Sequence, residues 1–286
     1  TDKGVHAAGN YVSLNLRLKP GSTVEGFDYP SILNGVLPPD IRILAAAPAP
    51  SGFDARFSCL FRAYQYYFPH AGEDLRKMQE AADFFVGEHD FRNFCKMDVE
   101  NITNYRRRVL SVSVRLVNNG VAEFAVTGTA FLWHQVRCMA AVLLLVGQGL
   151  ESPQVVEALL DVDRCPRKPL YEPADESGLV LRECGFADIH FAPSEAKPAG
   201  ESGLITPAGA AESFRQVRER HLRAYAVACC LVDACGDLRA DLKRKHVPLL
   251  ERATCQTLEE KQQALEARRQ RRKVADEGQA QDELAE

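Results

Sequence analysis

Arg108-Val109-Leu110-Ser111-Val112-Ser113-Val114-Arg115-Leu116-Val117, then Asn118-Asn119-Gly120, then Val121-Ala122-Glu123-Phe124-Ala125-Val126-Thr127 is the stretch from which the fold reads outward. Two runs rich in β-branched residues flank an Asn-Asn-Gly turn, and that combination predicts an antiparallel hairpin. Downstream, Gly128 leads into a predicted helix from about Phe131 to Val146. Ser152-Pro153 starts another, with Ser as N-cap and Pro at the first helical position. Leu179–Arg182 reads as a closing strand. Upstream, residues 56–68 form a long strand that places Arg62, Tyr64, Tyr66 and Phe68 on one face, and a helix from Glu73 to Val86 ends at Gly87 as its C′ residue. Earlier still, Val12, Leu14, Leu16 and Leu18 alternate along a predicted strand over residues 11–18. A helix over Val24–Gly35, a Leu37-Pro38-Pro39-Asp40 turn and a strand over Ile41–Ala47 follow. This order predicts an α+β fold with antiparallel sheets rather than a doubly wound parallel one.

Breakers mark the organisation. Pro48, Pro50 and Gly52 separate residues 1–50 from residues 51–192. After about Phe191 the composition shifts: residues 193–211 are rich in Pro, Ala, Gly and Ser and read as a flexible linker. Residues 212–286 read as a helical extension, with helices over Glu212–Cys235 and Gln256–Lys273 and a frayed acidic end.

The 286 residues are 46% hydrophobic and 26% charged, an ordinary globular composition. The longest apolar run, Met139–Val146, falls far short of the ~20 residues that cross a bilayer. Nine cysteines without a C-x-x-C pair argue against a zinc site or a disulfide framework and for free thiols. Residues 1–192 carry 19 Lys/Arg against 23 Asp/Glu, and residues 193–286 carry 16 of each. Any surface for a polyanion must therefore be local.

Three constellations are able to carry chemistry. In Thr1-Asp2-Lys3-Gly4-Val5-His6-Ala7, a carboxylate sits beside a turn glycine and a histidine; such a group acts as nucleophile or base when ionised. An ordinary turn is the plainer reading of Asp2 alone. In the strand around Arg62-Ala63-Tyr64-Gln65-Tyr66, Tyr66 and Phe68 read as core, whereas Tyr64 suits a cleft where a phenol ring stacks on a base. In Phe131-Leu132-Trp133-His134-Gln135-Val136-Arg137, His134 and Arg137 share a face at the start of an apolar helix. Arg137 is then either a snorkelling surface residue or a buried charge with a partner. Gly87-Glu88-His89-Asp90-Phe91 reads as a capping turn. Arg106, Arg107 and Arg108 read as phosphate contacts or as a charged strand start. Arg268-Arg269-Gln270-Arg271-Arg272-Lys273 reads as a solvated helix face, with a nuclear address as the second reading.

Together these stretches resemble the TruA-type pseudouridine synthases. That family carries Arg-Thr-Asp-x-Gly-Val-His-Ala, matched from Thr1 onward; Ala-Arg-Phe-Ser followed by Arg-x-Tyr-x-Tyr, matched by Ala55–Ser58 and Arg62–Tyr66; and Phe-Leu-x-His-x-Val-Arg, matched by Phe131–Arg137. The resemblance spans about residues 1–190. Asp90–Val99 and Trp133–Met139 are similar to the eukaryotic branch that modifies tRNA positions 38 and 39, as is Pro248–Arg252 to its C-terminal extension.

The resemblance implies two ferredoxin-like (RRM-like) halves with antiparallel sheets, the first half truncated because its first strand and its Arg precede Thr1. It implies Asp2 as catalytic aspartate, Tyr64 stacked on the flipped uridine and Arg137 paired with Asp2. His134 and Arg62 join Tyr64 and Arg137 as substrate-binding residues, with Arg106, Arg107 and Arg108 as RNA contacts. It also implies no cofactor and no metal, tRNA as partner, no membrane, a homodimer as an admissible assembly, and a nuclear or cytoplasmic location. The alternative is a catalytically silent RNA-binding module of the same fold.

Overall fold

A computed structural model describes residues 1–17, 20–21, 27–38, 40–118, 120–187 and 246–283. Leu18, the start of the Val24–Gly35 helix, Pro39, the 193–211 linker and the Glu212–Cys235 helix lie outside the described residues. The chain divides into two compact units: Thr1–Tyr11 with Cys59–Phe186 and His246–Glu286, and Val12–Ser58 with Ala187–Lys245.

The first unit is built on a six-stranded sheet. In chain order its strands are β1 (His6–Ala7), β2 (Phe61–Pro69), β3 (Gly87–Asp90), β4 (Arg106–Asn118), β5 (Val121–Gly128) and β6 (Leu179–Gly185). Their spatial order is β1-β6-β2-β5-β4-β3. Every neighbouring pair is antiparallel except β1–β6, which is parallel, so the all-antiparallel expectation is corrected to a mixed sheet in an α+β fold. The β4–β5 hairpin forms where its alternation and Asn-Asn-Gly turn place it. β6 lies inside the sheet, between β1 and β2.

The other helices of this unit are α2 (Leu75–Asp83), α3 (Gln135–Gly147), α4 (Val155–Leu160) and α5 (Leu258–Glu283); α1 (Tyr29–Asn34) belongs to the second unit. Nine of the thirteen α3 residues are buried, including Val142, Leu143 and Val146, and they pack with Phe85, Phe91, Phe94 and Phe124 into one core. Tyr66 and Phe68 join that core from β2, as their alternation predicts.

Several expected boundaries move for local reasons. β2 begins at Phe61, not Arg56, because the Asp54 carboxylate accepts the backbone N–H of Arg56 and Phe57 and holds that segment in a turn. α2 ends at Asp83, and Gly87, at φ +113°, opens β3 instead of closing the helix. Gly87–Asp90 is thus an edge strand and not a capping turn. α3 starts at Gln135 rather than Phe131, since His134 takes a left-handed conformation at φ +61°. α4 starts at Val155, after Ser152 and Pro153 have formed the turn before it.

In the second unit neither predicted strand forms. Residues 12–17 form no ladder among the described residues, and Val12 stays 78% exposed. Period-two alternation yields a strand only where a neighbour takes up the N–H and C=O groups. Over Ile41–Ala47 the amide of Asn34 takes that role, bonding both N–H and C=O of Ile43 at 2.8 and 2.9 Å. α1 is short, capped by Asp28, whose side chain accepts from Ser31 N–H.

Candidate functional site

Asp2 heads a tight turn in which Val5 N–H donates to Asp2 C=O at 3.1 Å. Gly4, the third residue of that turn, sits at φ +85°, where a side chain is strained. The turn is tied to the sheet at once: His6 and Ala7 pair with Val180 and Leu181, and Ala8 N–H donates to Leu181 C=O at 2.8 Å. Asp2 is therefore held at the β6 side of the sheet by a two-residue strand.

Tyr64 enters from β2, opposite Val126 of β5 on one side and Leu181 of β6 on the other. The β2–β6 register slips between Ala63 and Tyr64, an irregularity of the kind that re-aims a side chain. The Tyr64 ring meets Phe131 edge-on with centroids 5.3 Å apart. Burial pushes its phenol up to about 12; Arg62 opposes the shift, and Cys184 and the Asp2 carboxylate add to it. The hydroxyl is thus a proton carrier at any working pH.

His134 closes the site. Its Nε2 stands 3.9 Å from Asp2 Oδ2, beyond direct hydrogen-bond reach. The left-handed backbone is fixed on both sides: Gln135, fully buried, accepts Leu132 N–H on its side-chain oxygen at 2.8 Å, and Cys138 N–H donates to His134 C=O. Burial, then the charge of Arg137, pulls the imidazole below its usual value, and Asp2 acts the other way. On the outer rim, Trp133 is 44% exposed with the Lys96 ammonium 4.1 Å from its ring centroid.

Arg137 is the buried charge with a partner, 12% exposed, but the partner is not Asp2. Its Nη2 binds Glu176 Oε2 at 2.8 Å and its Nε donates to Ala174 C=O at 2.6 Å, while Ala174 N–H donates back to Arg137 C=O. The expected direct Arg137–Asp2 ion pair is corrected accordingly. The carboxylate that wins is the one carried by the loop entering β6, a few residues from the arginine's own backbone contacts. Glu176 also underlies the Asp2 turn: a Cβ on Gly4 would collide with Glu176 Cγ.

Asp2, Tyr64, His134 and Arg137 are therefore gathered at one place, and Arg62 adjoins them on β2. Arg106, Arg107 and Arg108 open β4, two strands from β2, where Val109 and Arg62 lie opposite the same Gly128 of β5. Arg106 pairs with Glu88 at 2.9 Å. Arg107 donates to the carbonyls of Asn104 and Arg106, and burial lowers its proton affinity. Arg108 is exposed.

Sequence reasoning missed Glu176 and Lys168. Lys168 Nζ donates to Cys95 C=O at 3.0 Å and to Cys138 Sγ at 3.4 Å, and lies 4.5 Å from the Tyr171 ring centroid. Nothing local marks either residue, because both roles depend on contacts across the fold.

Comparison with known proteins adds an independent line. The family described as tRNA pseudouridine synthase matches residues 81–187. A Bos taurus protein named tRNA pseudouridine(38/39) synthase is 48% identical over 218 residues, covering 67% of this chain and 45% of the relative. Its Saccharomyces cerevisiae counterpart is 43% identical over 201 residues, covering 67% and 46%. The tRNA pseudouridine synthase A of Methanosphaerula palustris is 36% identical over 222 residues, covering 77% of this chain and 72% of the relative. The chain spans about half the length of the animal and yeast relatives it matches.

Proposed function

This chain belongs to the tRNA pseudouridine synthase family, and from that premise we propose that the protein isomerises uridine to pseudouridine in the anticodon stem-loop of tRNA, at positions 38 and 39 as in the names of its relatives. The observation that carries the reading is the convergence of Asp2, Tyr64 and His134 on one site at the β6–β2 seam, with Arg137 behind them.

The reaction breaks the N1–C1′ glycosidic bond, turns the uracil and rejoins it through C5. It involves neither net redox change nor phosphoryl transfer, so side chains suffice and the reading includes no cofactor. The target base must leave its stack, at a cost of a few kcal/mol. Tyr64 offers a ring for the extruded base, and the Asp2 carboxylate attacks C1′ or removes the C2′ proton. Burial and the charge of Arg137 keep His134 uncharged at neutral pH, so it does not bind Asp2 as an ion pair. Arg137 and Glu176 hold the Asp2 turn from behind and act as positioning residues.

In the same reading, residues 1–50 are the remainder of an N-terminal catalytic half and residues 51–192 the second ferredoxin-like half. Val12, Leu14 and Leu16 then belong to a sheet completed by a further strand. The extension after residue 192 follows, and the protein works on tRNA in the nucleus or cytoplasm, as a homodimer. The test is incubation of the full-length protein with a tRNA carrying uridine at 38 and 39, followed by carbodiimide-based mapping. Conversion at either position is expected; unmodified uridine at both overturns the reading.

A further inference from the structure

The basic run Arg268–Arg272 has no part in the site just described, yet it is mounted on the same unit. α5 begins at a capping box: Thr257 Oγ1 accepts Glu260 N–H at 3.1 Å and Glu260 Oε2 accepts Thr257 N–H at 2.9 Å. Glu260 also grips Arg167 with both oxygens, at 2.6 and 3.2 Å. The neighbouring Lys168 donates to Cys138 on α3, the helix that carries Arg137. The root of α5 is thus linked, through Arg167 and its neighbour Lys168, to the helix that carries Arg137.

From that root the helix changes character along one stripe. Leu258, Lys261 and Leu265 are half-buried, whereas every residue from Glu266 to Arg272 is exposed. At 3.6 residues per turn, Leu258, Lys261, Leu265, Arg268 and Arg272 fall within an arc of roughly 80°, with Arg269 and Arg271 flanking it. The stripe that packs on the domain therefore becomes an arginine stripe where the domain ends, about 15–20 Å along the axis from Leu258. Four like charges within two turns repel one another and weaken the helix slightly. A polyanion laid along the domain would relieve that repulsion. The concentration is the more telling in a chain of net charge −4.

We propose that α5 is a second RNA contact, its arginine stripe lying on the sugar-phosphate backbone of the stem whose loop enters the site. The proposal rests on the function inferred above and adds a recognition element outside the catalytic centre. Arginine forks suit phosphate oxygens, and double-stranded RNA is read chiefly by shape and backbone.

The experiment uses full-length protein and its R268A/R269A/R271A/R272A variant; Ala is the best helix former, so α5 should persist, and circular dichroism checks that it does. The readouts are tRNA affinity as a function of salt, and steady-state kinetics. At roughly 0.7–0.9 of slope per phosphate contact, loss of four contacts should flatten the plot of log affinity against log salt by about 3. KM should rise at least several-fold and kcat at saturation stay within twofold, and an all-Lys variant should restore the slope. Unchanged slope and KM overturn the proposal, and a variant altered only in nuclear accumulation overturns it in favour of an address signal. If wild type binds tRNA without converting uridine, the slope still decides this proposal while the catalytic reading falls. If wild type does not bind tRNA, both fall.

Discussion

Arg137, largely buried, and Glu176, partly exposed, form an ion pair 2.8 Å apart, and Glu176 is at once the residue on which Gly4 rests. The arginine acts on the Asp2 turn through a second carboxylate and not by direct contact. Removing Glu176 should therefore loosen Asp2 without touching substrate. Glu176→Ala is expected to lower kcat by at least tenfold with tRNA affinity little changed, because a misplacement of about 1 Å can cost on the order of 100-fold. Glu176→Asp should recover part of the loss. A variant with normal kcat would show that the pair serves only stability.

Gly4→Ala tests the same linkage from the other side. The residue sits at φ +85°, and its new methyl would displace Glu176. Backbone strain of about 1–3 kcal/mol is expected at such a position, and activity should fall further than stability. Wild-type turnover in Gly4→Ala would mean that the turn has another shape in the working enzyme.

Tyr64 should separate ring from hydroxyl. Tyr64→Phe keeps the face that stacks and is expected to bind tRNA normally. Tyr64→Leu should lose roughly 1–3 kcal/mol of stacking, seen as a drop in kcat/KM of at least several-fold. With the phenol held up to about 12, any alkaline limb of the pH–rate profile below pH 10 should survive in Tyr64→Phe. Its disappearance would assign that limb to Tyr64.

His134 sets an acid-side dependence. Burial and Arg137 hold its folded pKa below the ordinary value of about 6.5. Between the folded value and 6.5 the unfolded chain binds more protons, so this contribution to stability is complete above about pH 6.5 and is lost as pH falls through that window. Urea unfolding at stepped pH should show a shallower acid-side slope for His134→Gln than for wild type. Identical slopes would remove His134 from the account.

How much of this was legible in the sequence depends on how local each cause is. The β4–β5 hairpin follows from alternation and its turn, and the buried face of β2 from Tyr66 and Phe68. Asp2, Tyr64, His134 and Arg137 were legible as members of one site through motif resemblance. Phe131–Trp133 reads as helix because an apolar run gives no sign that His134 will turn left-handed; that turn is held by Gln135 accepting Leu132 N–H. Residues 11–18 read as a strand because alternation does not say whether a neighbour exists. Glu176 was silent because its value lies in meeting Arg137 and Gly4, residues distant in sequence.

In the proposed function Asp2 performs the chemistry on tRNA uridine. The most direct measurement is carbodiimide-based mapping of pseudouridine at positions 38 and 39 with the full-length Asp2→Asn variant, beside its tRNA affinity. Asn is nearly isosteric, so conversion should vanish while affinity stays within a few-fold of wild type. Pseudouridine formed by Asp2→Asn at a rate near wild type would show that another group carries the reaction.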